Sequence, residues 1–256
     1  VIGGAGGWLF RDQLKRLADG VSVPVQSTPA STSAPPQPQA AAEPAPAPPP
    51  IKHPLDTEVA ADPALPKLAD SDAAAWGALS QLFQGEGPLT LLLRDHLIQR
   101  LVTQVDNLDK PSVPPTALAA RPLPGSLQVE PAEGGERIAA SNGARYAPYV
   151  QAFTALDPAA AGAAYKRLYP LIQQAYVDLG RPDGYFNDRL VAVIDHLLET
   201  PELAQAPLVQ RDERGRYRFV DPTLQSRSIG QKALLRMDPA QARADKQQLR
   251  AIRTAI

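Results

Sequence analysis

Four polar residues on one predicted helix are the strongest candidates for a binding site. Asp188 and Asp195 are seven residues apart, and Arg189 and His196 repeat that spacing one position further along. Because residues seven apart lie on a similar face of a helix, we expect an acidic strip beside a cationic one. Such a strip can bind a polar partner. It can equally be a solvated helix face whose ion pairs contribute about 0 to 1 kcal/mol each.

The same carboxylates, Asp188 and Asp195, raise an alternative hypothesis: an envelope hydrolase or a cell-wall-modifying enzyme. Acid/base catalysis requires two carboxyl groups that converge on a cleft and lie in different environments. The spacing of residues along a sequence shows neither condition. We therefore assign no catalytic residue.

The histidine and cysteine content argues against a metal centre. The three histidines are His53, His96 and His196, and the chain contains no cysteine. His53 lies in a proline-rich segment, so too few nitrogen and sulfur ligands remain for a typical transition-metal site. The sequence also contains no phosphate-binding loop and no dinucleotide-binding glycine pattern, so no cofactor is predicted.

The last predicted helix carries a basic stripe formed by Arg243, Lys246, Arg250 and Arg253. From Arg211 onward the chain has eleven Lys or Arg and five Asp or Glu, a net charge of +6 within a chain whose formal net charge is −1. The stripe is a candidate contact for an anionic surface, such as lipid headgroups. No aromatic platform for stacking bases accompanies it, so nucleic acid is not an expected partner.

The remaining patterns predict a mainly α, multi-helix globular domain with one or two short β-hairpins. One helix follows Ser71, and a second begins beside Pro88 with an apolar stripe from Leu89 to Val105. A helix from about Gly184 to Glu199 carries the four candidate residues. Three Asp-Pro pairs each supply an N-cap and a proline at the first helical position, namely Asp157-Pro158, Asp221-Pro222 and Asp238-Pro239.

Two pairs of short segments have the composition of β-hairpins. Leu127 to Val129 are predicted to pair with Arg137 to Ala139 across Gly134 and Gly135. The second pair is Leu208 to Arg211 and Arg216 to Val220. The residues between them, Asp212-Glu-Arg-Gly215, are typical of a turn.

The N-terminal part predicts a tethered protein, divided into a truncated membrane-anchor end and juxtamembrane segment (1–20), a disordered Pro/Ala-rich linker (21–66) and a globular domain (67–256). An uncharged Gly-rich run ends with Trp8 and Phe10 just before Arg11, as at the end of a membrane span. A flexible end of a soluble protein is the alternative. Thirteen prolines lie between Pro24 and Pro66, a composition that does not support a packed core.

Several distinctive motifs occur together along the predicted domain, namely Ser71-Asp72, Val105-Asp-Asn-Leu108, Tyr169-Pro-Leu-Ile-Gln-Gln-Ala-Tyr176, Val193-Ile-Asp-His-Leu-Leu198 and Tyr217-Arg-Phe-Val-Asp-Pro222. In combination they resemble DUF3014, a bacterial family of unknown function. The resemblance extends over nearly all of Leu65 to Ile256. It implies a Gram-negative protein with an N-terminal membrane segment and a variable proline-rich linker. It implies no established activity and transfers no catalytic residue.

These observations favour a membrane-tethered, periplasmic, non-catalytic binding or scaffold domain. We expect a single-pass anchor in the inner membrane and an envelope protein or cell-wall component as partner. A flexible tether raises the local concentration of the domain, so that modest affinity is sufficient. The basic residues Arg11, Lys15 and Arg16 beside the predicted span are typical of a cytoplasmic flank, so the sequence leaves the membrane orientation open, as it does the oligomeric state.

Overall fold

The computed structural model describes residues 49–55, 64–83, 86–112 and 118–256. Within these ranges the chain forms eight α-helices and one small antiparallel sheet, which confirms the predicted mainly α fold class. The first 48 residues, with the predicted anchor end and most of the predicted linker, lie outside the described residues. None of the helices in the described ranges has the length and hydropathy required to span a bilayer.

The helices and strands have the following bounds. The helices are α1 (Asp72–Leu82), α2 (Leu97–Asn107), α3 (Asn142–Thr154), α4 (Pro158–Asp178), α5 (Phe186–Leu198), α6 (Pro222–Gln225), α7 (Ile229–Arg236) and α8 (Pro239–Ala255). The strands are β1 (Val129–Ala132), β2 (Gly135–Ile138), β3 (Leu208–Arg211) and β4 (Tyr217–Phe219). Two short 3₁₀ helices cover Leu68–Asp70 and Pro88–Leu91.

The three Asp-Pro pairs begin helices as predicted. The side chains of Asp157, Asp221 and Asp238 accept hydrogen bonds from backbone N–H groups in the first turns of α4, α6 and α8. Each carboxylate satisfies an N–H group that has no partner within its helix, and its charge lies at the positive end of the helix dipole.

The predicted start of the second helix beside Pro88 was wrong. Pro88–Leu91 forms only a short 3₁₀ helix, and α2 begins at Leu97. His96 interrupts the pattern because its backbone is left-handed, with φ of 54°. The Asp72 carboxylate on α1 stabilises this start by accepting hydrogen bonds from the N–H groups of His96 and Leu97, both at 2.9 Å.

The two predicted hairpins are confirmed, and they join into a single sheet with the strand order β1-β2-β3-β4. Val129 pairs with Ile138 in the first hairpin, and Val209 pairs with Phe219 in the second. The junction is a short antiparallel pairing of β2 with β3, in which Glu136 lies opposite Val209. Ile138, Val209 and Phe219 are buried together against the helices that follow.

Helix α5 occupies a central position, because it packs against α2, α4 and α8. Its first residue, Phe186, is buried in the main helical core, where its ring lies 5.3 Å from the ring of Tyr176 on α4. Val193 and Leu197 of α5 pack with Leu234 of α7 in a second cluster. The apolar face of α5 therefore connects two parts of the core.

Close packing at the start of α7 generates a stability prediction. A Cβ added at Gly230 would lie 2.5 Å from Leu197 Cδ2 and 2.8 Å from the backbone oxygen of Leu108. Gly230→Ala should therefore lower the free energy of unfolding by about 1 to 3 kcal/mol, measured by urea denaturation.

The matched control is Gly77→Ala in α1, where a Cβ would meet nothing within 4 Å. This exposed helical position should gain about 0.5 to 1 kcal/mol from the better helix former. Equal effects of the two substitutions would contradict the packing at Gly230.

Candidate functional site

Asp188, in the first turn of α5, binds the main chain of a segment that precedes the folded helices. Its Oδ2 accepts a hydrogen bond from the N–H of Lys52 at 2.9 Å, and its Oδ1 accepts one from the N–H of His53 at 2.7 Å. The chain bends at these two residues, so that successive N–H groups point to one anion. We call residues 51–55 the docked segment.

Two neighbours of Asp188 complete the contact, and we call Tyr185, Asn187 and Asp188 the docking surface. Asn187 Nδ2 donates a hydrogen bond to the carbonyl oxygen of His53 at 3.0 Å, and the N–H of Leu55 donates to the Tyr185 hydroxyl at 3.0 Å. Leu55 is 8% exposed, whereas the other residues of the segment are exposed. The docked segment is thus held by four main-chain hydrogen bonds and one buried side chain.

A network of tyrosines holds the docking surface in position. Tyr165 donates a hydrogen bond to Asn187 Oδ1 at 3.0 Å, which leaves the Nδ2 group of Asn187 to face the segment. The N–H of Asn187 donates to the Tyr169 hydroxyl, and the rings of Tyr169 and Tyr185 lie 5.5 Å apart. Burial raises the pKa of Tyr165 and of Tyr169, so both hydroxyls stay neutral and able to donate.

Arg189 is engaged in ion pairs at the end of α2. Its Nε donates to Asp106 Oδ1 at 2.7 Å, while Nη1 and Nη2 donate to the two carboxylate oxygens of Asp109, both at 2.7 Å. Nη2 also donates to the Asp106 carbonyl oxygen at 2.6 Å. Hydrogen bonding to Arg189 lowers the pKa of Asp109 to about 2, and Asp109 and Asp106 together raise the pKa of Arg189.

Asp195 and His196 are bonded to two other helices. Asp195 pairs with Arg253 of α8, with Nη2 and Oδ2 2.9 Å apart, and this hydrogen bonding lowers the pKa of Asp195. His196 Nε2 lies 2.9 Å from Oγ of Ser228, the N-cap of α7. Asp188 and Asp195 therefore have separate partners, and this arrangement offers no support for a catalytic carboxylate pair.

The four residues of the predicted basic stripe on α8 lie in different environments. Lys246 is 6% exposed, and its Nζ donates to the carbonyl oxygen of Thr200 at 2.9 Å. Arg253 is paired with Asp195, whereas Arg243 and Arg250 are exposed. Contact with an anionic surface stays a prediction, and the structure offers only the latter two as exposed side chains for it.

Sequence reasoning missed Tyr185, Asn187 and the docked segment. One signal was present: Ile51 and Leu55 are the first large apolar residues after Val25. Within the described ranges, no group of three or more His, Asp or Glu side chains is placed to hold a metal ion.

The Arg189 ion pairs predict a large loss of stability when the guanidinium is removed. Arg189→Ala leaves Asp106, which is mostly buried, without its main partner. Because Arg189 is partly exposed, we expect a loss of about 2 to 4 kcal/mol, below that of a fully buried pair. Urea denaturation at pH 7 measures it, and Arg181→Ala, an exposed pair 3.7 Å from Asp106, should cost less than about 1 kcal/mol.

The same comparison has a defined pH dependence. The pKa of Asp109 falls from 3.8 to about 2 on folding, so its contribution is complete above about pH 4 and is lost as pH falls toward 2. The stability difference between the wild-type chain and Arg189→Ala should therefore shrink across that window. A constant difference would contradict the assignment of Asp109 as the Arg189 partner.

Comparison with known proteins identifies a family. Residues 97–253 match the family model described as Protein of unknown function (DUF3014). No curated protein and no solved structure gives a significant match. Because the matched residues make up more than half of the chain, the chain belongs to this family, and the resemblance inferred from its motifs is confirmed.

Proposed function

We propose that this member of the DUF3014 family is a membrane-tethered, periplasmic, non-catalytic binding domain, and that its docking surface binds a peptide segment. The observation that carries the proposal is the pair of hydrogen bonds from the N–H groups of Lys52 and His53 to Asp188. In this chain the bound peptide is the protein's own docked segment.

The hydrogen bonds between the docking surface and the docked segment involve only main-chain groups of the segment. This dependence on main-chain conformation favours a peptide-binding role for the docking surface. All four hydrogen bonds to the segment use backbone groups, three N–H groups and one carbonyl oxygen. Pro54, which has no N–H, occupies the one position between Lys52 and Leu55 where no donor is used. A partner peptide that makes these contacts has the same bend, can carry a proline at that position, and places an apolar side chain where Leu55 is buried.

The position of the docked segment connects binding to tethering. It lies within the predicted linker, between the predicted anchor and the helical domain. A segment on the same chain has a high effective concentration at its site, in the millimolar range for short flexible links. A partner with a related sequence must therefore compete with it, so occupancy depends on the local abundance of an envelope protein that carries such a segment.

A peptide-binding experiment tests the docking surface. In a full-length variant, residues 51–55 are replaced by alternating glycine and serine, which empties the surface. A fluorescein-labelled peptide with the sequence of residues 49–56 should bind this variant in fluorescence anisotropy. It should bind the wild-type chain at least about tenfold more weakly, because the chain's own segment competes.

Two further substitutions in the emptied variant make the result specific. Asp188→Ala should abolish binding of the peptide, whereas Asp183→Ala, an exposed residue of the same type, should leave it unchanged. An emptied variant that unfolds cooperatively like the wild type but does not bind the peptide would exclude this function.

The location of the domain is testable because the chain contains no cysteine. Gln247→Cys places one thiol on an exposed position of α8. In intact cells a membrane-impermeant maleimide should label this thiol if the domain is periplasmic, and lysed cells supply the control for reactivity. Labelling that occurs only after lysis would place the domain on the cytoplasmic side.

A further inference from the structure

A cleft of about 420 Å³ lies where α2, α5, α7 and α8 meet. Its walls are apolar except at Gln104 and Asp245. The Oε1 atom of Gln104 already accepts a hydrogen bond from the N–H of Ala119 at 2.7 Å. Clefts of this size, with apolar walls and few polar groups, are typical of small-molecule sites.

Asp245 is the polar group in this cleft that lacks a partner. The residue is 8% exposed, and its Oδ1 accepts no hydrogen bond from the described part of the chain. A buried, unpartnered carboxylate is costly in its charged form, and burial raises the pKa of Asp245 to about 6. A ligand with a positively charged donor would supply the missing partner.

The positively charged side chains on the helices around the cleft contact groups other than Asp245. Among the described residues that line it, none is Lys, Arg or His. Lys246 on α8 donates to the backbone of Thr200, and Arg253 is paired with Asp195 of α5. Arg236 of α7 lies over the ring of Phe219, 5.2 Å from its centroid. Asp245 therefore lines an apolar cleft and has no cation of the described chain as its partner.

A second apolar cavity adjoins the cleft. A space of about 180 Å³ lies between α1, α2, α4 and α5, and Val105 and Leu190 belong to the walls of both. The walls that α5 contributes to the cleft, Leu190, Val193, Ile194 and Leu197, are all apolar, so an apolar body can lie along this helix.

We propose that this cleft binds an amphiphilic primary amine, with its ammonium group on Asp245 and its apolar body along α5. The ammonium group offers three donors and a positive charge to the carboxylate, and the walls replace water around the hydrocarbon. An anionic amphiphile of the same length is repelled by the ionised carboxylate. This site is separate from the docking surface, so either can be tested without the other.

The first test compares two ligands of equal length, n-octylamine and 1-octanol, titrated into the full chain by calorimetry. At pH 7.5 the amine should bind at least about tenfold more tightly, as expected for a charge-assisted hydrogen bond. Because the amine stays protonated between pH 5 and 7.5, its preference should fall as Asp245 is protonated below about pH 6. Octanol affinity should not change with pH.

Substitutions assign the effect to Asp245. Asp245→Asn should remove the preference for the amine and leave octanol binding intact. This variant should fold, because it removes an unpartnered charge and breaks no hydrogen bond. Glu199→Gln, which removes an exposed charge at the end of α5, should keep the wild-type preference.

Ala233→Leu tests the cleft independently of Asp245, because it adds volume to the wall. It should weaken the binding of both ligands. The proposal is overturned if wild-type protein binds neither ligand, if folded Asp245→Asn keeps the preference for the amine, or if folded Ala233→Leu binds both as the wild type does.

Discussion

The polar face of α5 is the constraint on which the arrangement of the domain depends. Arg189 bonds to the end of α2, Asp195 to α8, His196 to the N-cap of α7, and Asp188 to the docked segment. These partners lie between 32 and 136 residues away along the chain. The first three of these contacts join α5 to other helices and restrict its rotation, so its apolar face is fixed toward the core and the cleft.

Among these contacts, Arg189 contributes specificity more than stability. Taking a guanidinium and two carboxylates out of water offsets much of their attraction, so the group stabilises the fold little more than apolar side chains of the same volume would. Removing the guanidinium alone is costly because it leaves the carboxylates without their partner. The planar guanidinium nevertheless makes four hydrogen bonds in fixed directions, which a lysine cannot reproduce. This geometry permits one orientation of α5 against α2.

The sequence predicted the features that depend on neighbouring residues. The N-caps at Asp157, Asp221 and Asp238 involve residues within three positions of each other, and the hairpins depend on local turns. The start of α2 was missed because the Asp72 carboxylate that stabilises it is 24 residues away from His96. The pairing of β2 with β3 is equally non-local.

For the candidate site too, the sequence predicted the local features and missed the non-local ones. The helix and its four polar residues follow from helical periodicity and spacing, but their partners do not, because any of several charged residues could have been brought to Arg189 or Asp195. The docked segment was assigned to the linker on composition alone. Its proline content predicts that it has no core of its own, but this composition does not exclude docking on another surface.

The energetics of the docked segment indicate that docking is reversible. Ordering five residues costs about 5 to 10 kcal/mol of backbone entropy. The cost lies toward the lower value because Pro54 is already restricted in the undocked segment. The two hydrogen bonds to the Asp188 carboxylate contribute about 1.5 kcal/mol each, the lower limit for a charged acceptor, because they are exposed. The two neutral hydrogen bonds contribute about 1 kcal/mol each. Burial of Leu55 adds about 2 kcal/mol. Since these contributions nearly cancel, the segment can leave its surface without unfolding the helices, as the proposed exchange with a partner peptide requires.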